Sequence, residues 1–221
     1  MQTIDSFSSS TLPAAARAAG PAIALILTAD AAVIALHVAN ELGGFYAQLF
    51  NLDQEGNLPT WLSSVQFFGV AICAVLAGLS SARRQAWWFL AAVFAFFSAD
   101  EVALIHEKLA GRLENVTSLP KLPLIYSPLL IGCVLAVVAV LPEVRSRLTT
   151  PVPLLAGFSL LALSLALDAA DVQALDVPRF RPMILLEEAS ELLGTATLIA
   201  TILAVFLSRT GPTDELVRGS A

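Results

Sequence analysis

Three features of the 221-residue chain predict an all-α, polytopic transmembrane helical bundle. Hydrophobic residues make up 57% of it and charged residues only 14%, about half the charged share of an ordinary soluble domain. The mean hydropathy is +0.79, and apolar stretches recur near the ~20 residues a helix needs to cross a bilayer. A soluble domain is excluded. With Cys73 and Cys133 as the only cysteines, so is a disulfide scaffold. The formal charge of -6, from 12 basic and 18 acidic side chains, leaves no basic patch and thus no expectation of a nucleic-acid partner.

Six spans are expected, near residues 21–42, 60–81, 86–109, 124–141, 152–175 and 183–208, forming one domain over 21–209. Residues 1–20 are Ser- and Ala-rich with Arg17 as their sole basic side chain, which reads as a flexible segment without the positive start of a secretory signal. The first span is therefore expected to be retained, and residues 210–221 read as a flexible tail. Between spans one and two, Phe45, Tyr46, Leu49 and Phe50 mix with Asp53 and Glu55, a pattern expected to lie along the membrane surface. Ala71, Ala74, Ala77 and Gly78 suit close helix packing in span two. Trp61 opens that span and Trp87 and Trp88 open the third, as aromatic belts do.

Orientation follows from the basic residues of the loops. Arg17, Arg83, Arg84, Arg145, Arg147, Arg209 and Arg218 fall on one side, against Lys108, Arg112, Lys121, Arg179 and Arg181 on the other. That bias favours both termini inside, in a membrane of the bacterial inner type. No Walker motif, Gly-rich nucleotide loop or G-x-S-x-G elbow occurs.

The informative feature is the distribution of acids. An ionisable side chain within a span costs roughly 2.5–3.5 kcal/mol on insertion scales, so its presence points to function. Span one carries Asp30, His37 and Glu41, and span three carries Asp100, Glu101, His106 and Glu107. Span five carries Asp168 and Asp171, and span six opens with Glu187, Glu188 and Glu191. Spans two and four hold no charge, only Gln66 and small polar groups. At 1.5 Å rise per residue, His37, Asp100, Asp168 and Glu191 all come out about 21–25 Å above the inner ends of their helices. Helical phase lets most of these groups face one interior, but Glu101 and His106 point about 100° and 120° to either side of Asp100. An irregular helix there, or a separate purpose for one of the two, would account for the misfit.

Three chemistries compete for this constellation. The first is a divalent metal site built from His37, Asp100, Glu101, His106, Asp168, Glu188 and Glu191, supported by Glu41, Glu107, Asp171 and Glu187. Mixed oxygen and imidazole donors suit Fe, Mn or Zn, and an all-oxygen set would suit Ca. The Glu-x-x-His pairs of ferritin-like dinuclear sites are missing, since Ile34 and Ala103 stand three residues before the histidines. The His106–Glu107 pair likewise lacks the second histidine of H-E-x-x-H. Catalysis at such a site, near the non-cytoplasmic face, would use the metal as a Lewis acid or to generate hydroxide from bound water, on an amphiphilic small molecule arriving from the lipid bilayer or from the periplasm. The second is a proton- or cation-coupled transporter with Asp30 near mid-membrane. The third is a structural polar layer of snorkelling side chains with Lys108, Arg112, Arg179 and Arg181. A non-catalytic accessory role, in a homo-oligomer or a larger membrane complex, stays open beside them. The cysteines read as small core residues, and the Asn115–Val116–Thr117 sequon as incidental.

Overall fold

The computed structural model describes residues 14–43, 48–52, 54, 56–114, 121–173 and 181–208. These form seven helices, with no strand among the described residues: α1 (Ala14–Gly43), α2 (Leu58–Leu79), α3 (Arg84–Ala103), α4 (Ile105–Glu114), α5 (Lys121–Arg147), α6 (Val152–Gln173) and α7 (Arg181–Leu207). Five of them, α1, α2, α3, α5 and α7, are long and apolar enough to cross a membrane, as a multi-pass integral membrane protein requires. The fifth expected span is α6, whose apolar run Val152–Asp168 is shorter than the others. Residues 1–13 and 210–221 of the expected flexible ends, the sequon, Arg179, Phe45, Tyr46, Asp53 and Glu55 lie outside the described residues, whereas residues 14–20, expected to be flexible, are helical as the start of α1.

Helix α2 lies against α3 and α7, α7 also meets α1 and α6, and α5 bridges α3 and α6. The core between them is dry, with Trp87, Leu90, Phe94, Val140, Leu154 and Leu198 all fully buried. Phe67, Phe94, Phe97 and Phe158 form an aromatic cluster with ring centroids 5.6–6.1 Å apart, at tilted to edge-on angles that aromatic quadrupoles favour. Helices α6 and α7 cross where Gly157 faces Gly194. A Cβ on Gly157 would come within 2.8 Å of Leu198, and one on Gly194 within 3.0 Å of the Gly157 carbonyl. Small residues thus bring the two backbones together. Beyond that crossing, toward the same end of the bundle, Asp168 stands about three turns along α6 and the Glu187–Glu188 pair about two turns along α7. At the other end of the bundle, Ser81 Oγ and Trp87 Nε1 both donate to Glu143 Oε2, at 2.5 and 2.7 Å, tying the α2–α3 hairpin to α5.

Two expectations need correction. The single third span over 86–109 is two helices, broken at Leu104, which takes the left-handed conformation at φ 52°, ψ 46°. Its N–H closes α3 on the Asp100 carbonyl at 2.7 Å. The surface segment between α1 and α2 does not simply lie flat, because Leu52 is buried against Val33 and Ile184. Asn57 organises that segment, donating to the Asn51 and Gln54 carbonyls and accepting the Thr60 N–H to cap α2.

Candidate functional site

The break at Leu104 builds the site. An aspartate within a helix can compete for backbone donors that a regular helix would satisfy itself. Asp100 does so: its Oδ1 accepts the backbone N–H of His106 at 2.8 Å, which caps the start of α4. Its Oδ2 lies 2.8 Å from His106 Nδ1. An ionised carboxylate only accepts, so Nδ1 carries the proton of this bond. The left-handed residue costs of order 1–3 kcal/mol in backbone strain and is held by these two bonds. The phase misfit of Glu101 and His106 is thereby resolved, since the turn swings His106 back over Asp100. The imidazole is 25% exposed and its carboxylate partner 9%.

This pair borders a cavity of about 290 Å³ lined from α2, α3, α5, α6 and α7, with His106 of α4 and Leu52 also in its lining. Its acidic wall carries Asp100, Glu101 and His106 with Asp168 of α6 and Glu187, Glu188 and Glu191 of α7. An apolar wall is formed by Phe67, Phe97, Phe158, Leu129, Val134 and Leu161. Cys133 belongs to that apolar wall and Cys73 to the core, both as free thiols. Six of the seven predicted ligands therefore line one space, together with the predicted supporting residue Glu187. Such a space accepts a molecule with a polar or charged head and a hydrocarbon body.

His37 is not among the residues that line the cavity. It is buried on α1, and its Nδ1 accepts the Leu52 backbone N–H at 3.1 Å, so it holds in place a loop residue that lines the cavity. Glu41 is half-buried at the last turn of α1. The side chains of Glu107 and Asp171 lie outside the described residues. Lys108 extends back to the Ala103 carbonyl at 2.6 Å, supporting the break.

A second polar group lies deeper. Asp30 is 2% exposed, and its Oδ1 accepts from Gln66 Nε2, whose amide oxygen accepts from Thr195 Oγ1 at 2.7 Å. Oδ2 of Asp30 has no hydrogen-bond partner among the described residues. Thr195 Oγ1 also lies within 3.0 Å of the Glu191 carbonyl and 2.9 Å of the Leu192 carbonyl, one turn below the acidic wall. Gln66 and Thr195 were not among the predicted site residues. The signal for Gln66 was its isolation as the one strongly polar side chain in span two, whereas Thr195 had none.

Among the described residues, no three His, Cys, Asp or Glu side chains converge closely enough to hold a metal ion as they stand. Residues 21–206 match a family described as "Domain of unknown function (DUF8692)", and the chain belongs to that family. No curated protein and no solved structure matches it.

Proposed function

We propose that this member of the DUF8692 family is a six-span protein of a bacterial inner membrane, with both termini inside, whose acidic cavity holds a divalent cation and acts as a metal-dependent enzyme on an amphiphilic substrate. At 22 residues α6 extends about 33 Å, enough to complete the sixth span. The basic-residue bias supports the orientation.

The observation that carries the site assignment is the Asp100–His106 pair, fixed by a strained turn and facing carboxylates from two other helices. Asp100 spends both oxygens on His106, so it positions the imidazole, as the carboxylate of a carboxylate–histidine–metal arrangement does. His106, Asp168, Glu188 and Glu191 are the candidate ligands, with Glu101 and Glu187 beside them. The three side-chain torsions of a glutamate would let a cation draw these carboxylates together without moving a helix. Nitrogen with oxygen donors suits Fe, Mn or Zn, and oxygen alone suits Ca. A metal there supplies Lewis acidity or activates bound water. The apolar wall positions the body of the substrate.

Metal content measured by mass spectrometry tests this, on protein purified in mild detergent without a metal-affinity tag, beside Glu188→Ala. The expected result is near-stoichiometric Fe, Mn, Zn or Ca, lost in a variant that stays folded. No metal after reloading overturns it.

A second reading, a proton- or cation-coupled transporter, is favoured by Asp30, a buried carboxyl whose one hydrogen-bond donor among the described residues is neutral. It predicts pH-dependent cation flux in liposomes that Asp30→Asn abolishes. Flux that persists in the variant removes it.

A further inference from the structure

Beside the cavity, α3 and α5 leave a groove of about 270 Å³ lined without any polar side chain. Ala92 and Phe96 come from α3, Pro128 and Gly132 from α5, and Phe97 and Leu129 line both the groove and the cavity. We propose that this groove receives the hydrocarbon tail of an amphiphile whose head sits at the acidic wall, so the substrate is a long-chain lipid drawn sideways from the bilayer. The head-group half of this inference rests on the function proposed above, while the tail half rests on the groove.

Three observations converge on a tail. First, polarity falls in one direction, from the carboxylates past Phe97 and Leu129 into a space with nothing to hydrogen-bond, where only hydrocarbon is at home. Second, the groove opens to the outside of the bundle along two helices apolar enough to span a membrane. Ala92, Phe96 and Pro128 are exposed there, where lipid chains would surround them.

Third, the space is not a by-product of close helix packing. The glycines at the α6–α7 crossing sit in steric contact, but a Cβ on Gly132 would meet only Val93 Cγ2, at 3.9 Å. Glycine at that position leaves room that nothing in the bundle fills. The partition between the two spaces is the Phe97 ring, 6.3 Å from Phe96 and 5.7 Å from Phe67, and Leu129 opposite. Continuity between them would come from rotation of these two side chains, a motion of the picosecond-to-nanosecond class for exposed groups and slower within a core.

The probe is a long-chain alkylamine with a terminal diazirine, whose ammonium meets the carboxylates directly and needs no metal. It is photolysed with the full-length protein in nanodiscs, and labelled peptides are mapped by mass spectrometry. Labelling at residues 92–97 and 128–132 should be saturable by unlabelled amine. It should survive Gly132→Ala, fall at least tenfold in Gly132→Leu, and fall likewise in Ala92→Leu should the first variant fold poorly. Labelling that is non-saturable, or unchanged in both leucine variants, overturns the groove. Metal binding in Gly132→Leu stays at the wild-type level if the groove alone is blocked. A failure of the tail assignment is therefore distinct from a failure of the metal site, which Glu188→Ala reads.

Discussion

The protein keeps carboxyl groups in two surroundings within a few turns of each other, and they are stabilised by opposite means. At the cavity, seven ionisable side chains share a solvent-reachable wall, and the histidine is fixed by an aspartate six residues away in sequence. In the core, Asp30 stands in a buried layer with only the amide of Gln66 and, behind it, the hydroxyl of Thr195. Charges at the cavity can be met by water or by a bound cation, so changing one should alter binding more than stability. The core acid must be compensated where it stands, so removing its partner should alter stability first.

The sharpest way to break that contrast is Gln66→Leu, which strands Asp30 without a donor. A loss of about 3 kcal/mol is expected, read as a lower unfolding temperature in detergent. Asp30→Leu combined with Gln66→Leu should recover most of it. An unchanged midpoint in the single variant would show that Asp30 is compensated elsewhere. Next in size is Asp100→Ala, which removes the cap of α4 at a cost of about 1–2 kcal/mol. Hydrogen exchange should rise through α4 and stay unchanged in α2.

Smaller again is the effect at the break. Leu104→Ile should cost about 1 kcal/mol, because a β-branched side chain is poorly tolerated at positive φ, whereas Leu104→Gly should cost nothing. Equal midpoints for the two would mean that the left-handed turn is not maintained in solution. The smallest is Glu187→Gln, expected within about 0.5 kcal/mol of the parent by the same melt. A larger shift would place Glu187 with the core group rather than with the cavity.

The helices were legible because hydropathy at span length reports burial in lipid directly. The gathering of Asp100, Asp168 and Glu191 was legible because helical rise converts sequence position into depth with little error. The turn at Leu104 was not. Left-handed residues are ordinarily flagged by glycine or asparagine, and leucine carries no such mark. Only the clash of phase between Glu101, His106 and Asp100 hinted at it. His37 was drawn into the predicted ligand set by its stripe with Asp30 and Glu41. Its partner is a backbone N–H of Leu52, and periodicity has no means of showing a loop that folds back into the bundle. Thr195 was invisible for a related reason, since its role depends on which face of α2 meets α7.

The short span of the Asp100–His106 bond has a consequence for biogenesis. Its partners are six residues apart, so the pair can close as soon as α3 and the start of α4 have left the ribosome. The Gln66–Thr195 bond joins residues 129 apart and waits for α7, the last of the described helices. During synthesis the imidazole is thus already seated while Asp168, the three glutamates of α7 and the partner of Gln66 are still to come. The nascent chain carries Asp100, Glu101 and His106 through the insertion of α5 and α6, and the arrival of α7 completes both the acidic wall and the Gln66 bond.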